Sequence, residues 1–200
     1  MNMPPRHTPR EPQTLITDLI SSEDDRAELA ALELGTLGQA ALDWLRPLFT
    51  DPQAEHRWWA ARTLSLVRSN EARAALIAFL LDADSDVRAC AAFALGESQV
   101  EEAVEPLAKL LNDSSVFVSA MASDALARIG QASTLTLIDR LKNGAAIERA
   151  RAAKALLALL DSRSIPALIA ALDDESPVVQ HYASEALTRL GVGTILLKPQ

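Results

Sequence analysis
The side chains of this 200-residue chain most suited to catalysis or metal binding are one cysteine and three histidines. A thiol becomes a nucleophile beside a base or a positive neighbour. Arg88, two positions from Cys90 in a helical pattern, faces elsewhere, so Cys90 reads as a half-buried, inert thiol. His56 and His181 stand four copies apart in a repeat, His7 lies among N-terminal prolines, and HExxH is absent, so these histidines share no metal. No glycine-rich phosphate loop, GxSxG elbow or usable Ser, His, Asp grouping occurs either. Glu97, Glu101, Glu102 and Glu105 read as a solvated turn rather than a catalytic carboxylate pair. No catalytic residue, metal or cofactor is assigned.

Binding is the chemistry that remains. Five segments align at a spacing near 31 residues: HRWWAARTL, VRACAAFAL, VSAMASDAL, ERARAAKAL and VQHYASEAL. They end on Leu64, Leu95, Leu126, Leu156 and Leu187, which lie 31, 31, 30 and 31 apart. Ala60, Ala91, Ala122, Ala152 and Ala183 form one column of small residues, and Thr63, Ala94, Ala125, Ala155 and Ala186 another. If these columns face inward, the positions two, three and six after each segment's start point outward on the concave side. Those positions hold Trp58, Trp59 and Arg62; Cys90 and Phe93; Met121 and Asp124; Arg151 and Lys154; and His181, Tyr182 and Glu185. Large apolar groups on an otherwise polar surface mark binding sites, with Trp59, Phe93 and Tyr182 the strongest anchors here. The competing reading is that a tryptophan at helical spacing is core: an error of one residue in helix rotation would turn Trp58 onto the preceding pair.

The elements that position these residues are helical. Leu and Ala are abundant, aromatics are 4% and glycines number 7, a composition that favours helices over paired strands. Each segment follows a second leucine-bearing pattern, such as AALDWLRPLF or IPALIAAL, across turns that supply N-caps. Ser176 before Pro177 predicts an N-cap with proline at the first helical position, and Gly130 and Gly191 suit helix C-termini. Thr14–Ile20 and Ser22–Leu34 read as a degenerate first pair, with Ser22 and Asp25 resembling a capping box and Glu23, Asp24 and Asp25 a solvated helix start. One hairpin cannot bury its own apolar faces. The expected fold is therefore an all-α, right-handed α-solenoid of about six antiparallel helix pairs over residues 13–191, with a disordered Pro-rich leader at 1–12 and a tail at 192–200.

Composition narrows the partners. The net charge is −8 and the isoelectric point near 4.9, unfavourable for nucleic acid or anionic lipid. No run of about 18 apolar residues could span a membrane, and the N-terminus has no secretory core, which makes the cytoplasm the expected location.

DADSDVRACAAFALG, NDSSVFVSAMASDALARIG and DDESPVVQHYASEALTRLG resemble HEAT repeats, and the short period is similar to that of the phycobilisome-lyase subclass. The resemblance covers Thr14 to Gly191. It implies second helices lining the concave face and an arginine near their start laddered with turn aspartates. That arginine matches Arg57, Arg88 and Arg149, near Asp51, Asp82 and Asp84, while Ser119 and Gln180 depart from it and predict weaker tethering. The repeated His-Glu pairs of HEAT-like di-iron hydroxylases are absent, and the basic face of HEAT-like DNA glycosylases is diluted by Asp124 and Glu185. The leading expectation is a scaffold that binds a protein segment on its concave face. The alternative implied by the resemblance is a bilin lyase or chromophore-handling subunit, with aromatics stacking on a tetrapyrrole and basic residues meeting its propionates.

Overall fold
The computed structural model of the chain describes residues 10–192, which are all-α, without strands. The leader expected at 1–12 lies outside the described residues as far as residue 9, and the expected tail lies outside them from residue 193. The chain divides into two compact units, one through Ala75 and one from Leu76.

The first unit contains α1 (Pro12–Leu19), α2 (Asp24–Thr36), α3 (Ala41–Leu45), α4 (Ala54–Leu64) and the start of α5 (Asn70–Phe79). Proline at the first position of α1 loses no helical hydrogen bond, because that N–H would be unpaired anyway. α3 continues as a tighter 3-10 turn over Arg46–Thr50. α1 packs on α2 and α3, and α2 on α4, burying Leu15, Leu19, Leu34, Leu42, Leu45 and Leu64. The buried Asp18 is tolerated because two guanidinium groups meet it: Arg10 at 2.6 Å and Arg26. The Ser22 capping box does not form. Glu23 takes the N-cap position of α2 without a side-chain bond, and Asp24 and Asp25 meet the helix dipole in the first turn.

The second unit begins within α5 and continues through α6 (Ser85–Glu97), α7 (Val104–Lys109), α8 (Val116–Ile129), α9 (Thr134–Asn143), α10 (Ala146–Leu159), α11 (Ile165–Ala170) and α12 (Pro177–Arg189). α6, α8, α10 and α12 pack in chain order as one layer, and α7, α9 and α11 follow one another in a second, so helix pairs stack as a solenoid does. The alanine and leucine columns are the seam: Ala91, Ala94, Leu95 and their counterparts through Ala183, Ala186 and Leu187 are buried. Small residues there let backbones approach. A Cβ on Gly96 would stand 2.7 Å from the Cα of Ala125, so α6 and α8 touch at a point that only glycine accommodates.

Caps fix the helix starts. The Asp84 carboxylate accepts from the N–H groups of Asp86 and Val87, and the Ser115 hydroxyl from that of Val118. Ser176 occupies the predicted N-cap with Pro177 following, but its hydroxyl makes no cap bond; Asp174 Oδ1 accepts from the Ser176 N–H at 2.8 Å. Gly130 and Gly191 end their helices at φ 85° and 79°, the left-handed region that suits glycine.

Candidate functional site
In the second unit the predicted row lies on the second helices. Cys90, Met121, Asp124, Arg151, Lys154, Tyr182 and Glu185 are half-buried, and Phe93 and His181 are exposed. They occupy the same two helical positions on four consecutively packed helices, apart from His181, which precedes Tyr182. Phe93 is 47% exposed, with the Arg128 guanidinium 5.3 Å from its ring centroid and Arg128 Nη1 3.0 Å from Glu97. The His181 ring lies 5.5 Å from that of Tyr182, and its Nε2 3.7 Å from Glu185. Lys154 Nζ is 2.8 Å from Asp124 Oδ1, and Arg151 reaches the Val116 carbonyl at 3.4 Å. Of these charges, Lys154 and Asp124 pair across neighbouring helices, whereas Glu185 is met on its own helix by Arg189.

The first unit holds Trp58, Trp59 and Arg62, and here one expectation is corrected. Trp59 is 4% exposed and belongs to the core, not to a free surface. Its helical position adjoins the preceding second helix, where a ring as large as indole fills the α2–α4 seam, while Trp58 stays half-buried and meets it edge-on at 4.8 Å. Arg62 pairs with Glu28 of α2, so its charge is already satisfied. A cavity of about 390 Å³ opens where Asp24, Asp25 and Glu28 of α2 meet Glu55, Trp58 and Trp59 of α4. The acidic members were missed in sequence: Asp24 and Asp25 register only as a solvated helix start, and Glu28 and Glu55 carry no signal of their own. Nothing in spacing indicates that α4 brings two indoles against them.

The arginine ladder crosses from one turn to the next. Arg88 donates to its own turn at the Asp82 and Ala83 carbonyls and clasps Asp113 of the following turn through Nε and Nη2, at 2.9 and 2.8 Å. Arg149 repeats this with the Gly144 carbonyl, Asp174 and Glu175. Arg57 donates to the Asp51 and Pro52 carbonyls. The inter-turn acceptors in the second unit are Asp113 and Asp174 rather than the acids of each arginine's own turn. At the departures, the Ser119 hydroxyl donates within its own helix, to the Val116 carbonyl, and Gln180 keeps the own-turn bond, to the Asp174 carbonyl at 2.6 Å. Burial pushes Asp113 up, but the hydrogen bonds of Arg88 and of the Ser115 N–H outweigh it and hold the carboxyl below its usual range. Asp174 is lowered chiefly by Arg149. Asp161 is lowered most of all, by Arg163 first, and also accepts from the Thr134 hydroxyl at 2.9 Å.

Among the described residues no three His, Cys, Asp or Glu side chains converge to hold a metal, and no helix is long and apolar enough to cross a membrane. The stacked helix pairs, bridged turn to turn by arginine, place the molecule among helical-repeat proteins. More narrowly, the chain belongs to the HEAT-repeat family: the model "HEAT repeats" matches residues 13–92 and 73–141, and the model "PBS lyase HEAT-like repeat" matches 148–174. No curated protein matches significantly. Among solved structures, the chain is similar to YibA of E. coli at 20% identity, over 94% of this chain and 73% of that one, with a TM-score of 0.62. It is also similar to the CpcE–CpcF complex of phycocyanin lyase from Nostoc (24%, 96% and 81%, 0.54) and to a designed armadillo repeat protein in complex with the peptide (KR)4 (21%, 90% and 100%, 0.52). At these identities the likeness is one of fold.

Proposed function
We propose that the chain is a protein-interaction module whose second unit holds a partner segment along α6, α8, α10 and α12. One observation carries this reading: bulky and charged side chains occupy equivalent, solvent-reachable positions on four successive helices, above alanine columns that are sealed. A preformed row of this kind loses little entropy on binding. Phe93 and Tyr182 serve as the anchors. Cys90 and Met121 supply apolar contact between them, and Asp124, Arg151, Lys154, His181 and Glu185 set the register of the segment. The test is capture of partners from the native host with the full chain and with Phe93→Ala and Tyr182→Ala. Each substitution is expected to weaken the captured complex by about 2 kcal/mol or more. Equal affinity for all three proteins would overturn the reading.

A second reading is supported by the PBS lyase HEAT-like match over 148–174, which contains Arg151 and Lys154. In it, the same row stacks on a bilin. Absorption spectra of the chain mixed with a bilin test it, and an unchanged spectrum leaves the interaction module alone.

A further inference from the structure
The row on the second helices has a lower rank, one turn nearer the helix starts. Asp86, Phe117, Ile147 and Val178 are the second residues of α6, α8, α10 and α12, four positions before Cys90, Met121, Arg151 and Tyr182. Residues four apart share a helix face, so the two ranks form one surface on consecutively packed helices. Three members of the lower rank are bulky, apolar and open to solvent: Phe117 at 57%, Ile147 at 39% and Val178 at 51%. In their midst stands Arg151. Lys154 pairs with Asp124 and Glu185 with Arg189, whereas Arg151 meets no carboxylate among the described residues; its side chain makes only the long bond to the Val116 carbonyl. Glu148, one turn away on the same helix, is turned to the Ala145 N–H. Arginine among aromatic and Met side chains is the composition of interface centres, and a cation bordered by apolar groups is complementary to a carboxylate that brings apolar neighbours with it.

We propose that Arg151 receives the carboxylate of a glutamate or aspartate in the partner segment, with bulky apolar residues three positions before and after it seated on Phe117 and Met121 and on Val178 and Tyr182. The inference rests on the reading of the chain as an interaction module, and it deepens that reading by fixing the partner's charge and spacing. The spacing follows from geometry. Packed helices lie about 8 to 10 Å apart. A polyproline-II segment rises about 3.1 Å per residue with three residues per turn, so it returns a side chain to the same face about every 9 Å. Ile147 lies beneath the stem of the acidic side chain. The net charge of −8 does not oppose this contact, because charges more than about 8 Å away are screened at physiological salt, Asp124 and Glu185 are already paired, and Asp86 stands two helices away.

The test uses the full chain, immobilised, with two nonapeptide pools that carry leucine three places either side of a central glutamate or glutamine and random residues elsewhere. The glutamate pool is expected to be retained about fivefold better, with the preference shrinking as salt is raised. Arg151→Met, which keeps the apolar stem, should abolish the preference, and Arg151→Glu should transfer it to a pool centred on lysine. Phe117→Ser, at an exposed position, should lower retention of both original pools alike, by roughly two- to fivefold. Moving the leucines to two places from the glutamate should lower retention by about threefold. Equal retention of the glutamate and glutamine pools, a preference untouched by Arg151→Met, or indifference to the leucine spacing overturns the inference. If Phe93→Ala still weakens the captured partner complex in that event, the module reading survives without it. Displacement of the glutamate pool by propionate at equal concentration assigns Arg151 to a free carboxylate and also overturns it.

Discussion

At the scale of single residues, burial separates two tryptophans that are neighbours in sequence. Trp59→Ala should cost about 3 to 5 kcal/mol in urea unfolding, since it empties a sealed site. Phe93→Ala, at a surface position, should change stability by under about 0.5 kcal/mol. A small loss at Trp59 would return that ring to the surface. The outward positions were legible because alanine and leucine in fixed columns define the opposite face. The fate of Trp59 was not, because enclosure depends on what α2 places across from α4, and α2 belongs to the most degenerate pair. The acidic pocket escaped for the same reason: three of its carboxylates sit on that helix and the rest of its wall on another.

At the scale of helices, the stacking contact at Gly96 is the most sensitive point. Gly96→Ala should destabilise by about 1 to 3 kcal/mol, because the nearest obstacle is backbone and cannot swing aside. The arginine bridges give a pH dependence. A carboxyl whose folded pKa lies below its unfolded value, about 3.9, binds fewer protons folded than unfolded, so its stabilisation is complete above about pH 5 and is lost as pH falls through the folded value. Asp113, Asp161 and Asp174 all shift this way. Unfolding followed at successive pH values should show stability declining below about pH 5, and Arg149→Met should flatten that decline. A steeper acid limb in the variant would contradict the assignment. The period, the helix pairs and the arginine positions were all readable from sequence. The acceptors were not, because a guanidinium can serve its own turn and the next at once, and only the stacking distance decides. The Ser22 cap failed because two acidic residues offered the α2 start an electrostatic solution needing no hydroxyl.

At the scale of the whole molecule, the acidic balance predicts that duplex DNA at physiological salt forms no measurable complex with the chain; binding that falls steeply with added salt would contradict this. Within the second unit the bridges are unequal. The turn at 142–145 reads Lys, Asn, Gly, Ala, so where Ser119 replaces arginine the receiving aspartate is missing too. The α8–α10 junction relies instead on the Ser123 hydroxyl donating to the Arg151 carbonyl, on the Lys154–Asp124 pair and on the long bond from Arg151 to the Val116 carbonyl. Hydrogen exchange should therefore open that junction before the α6–α8 one. Equal protection at both would show that backbone packing alone governs the opening.

The close approach at Gly96 then has a mechanical meaning. A stack locked where two backbones touch and only loosely pinned one step later does not bend evenly along its length. Under load it is expected to yield at one joint, like a carpenter's rule, so that the spacing between Met121 and Arg151 changes while Phe93 and Met121 travel together.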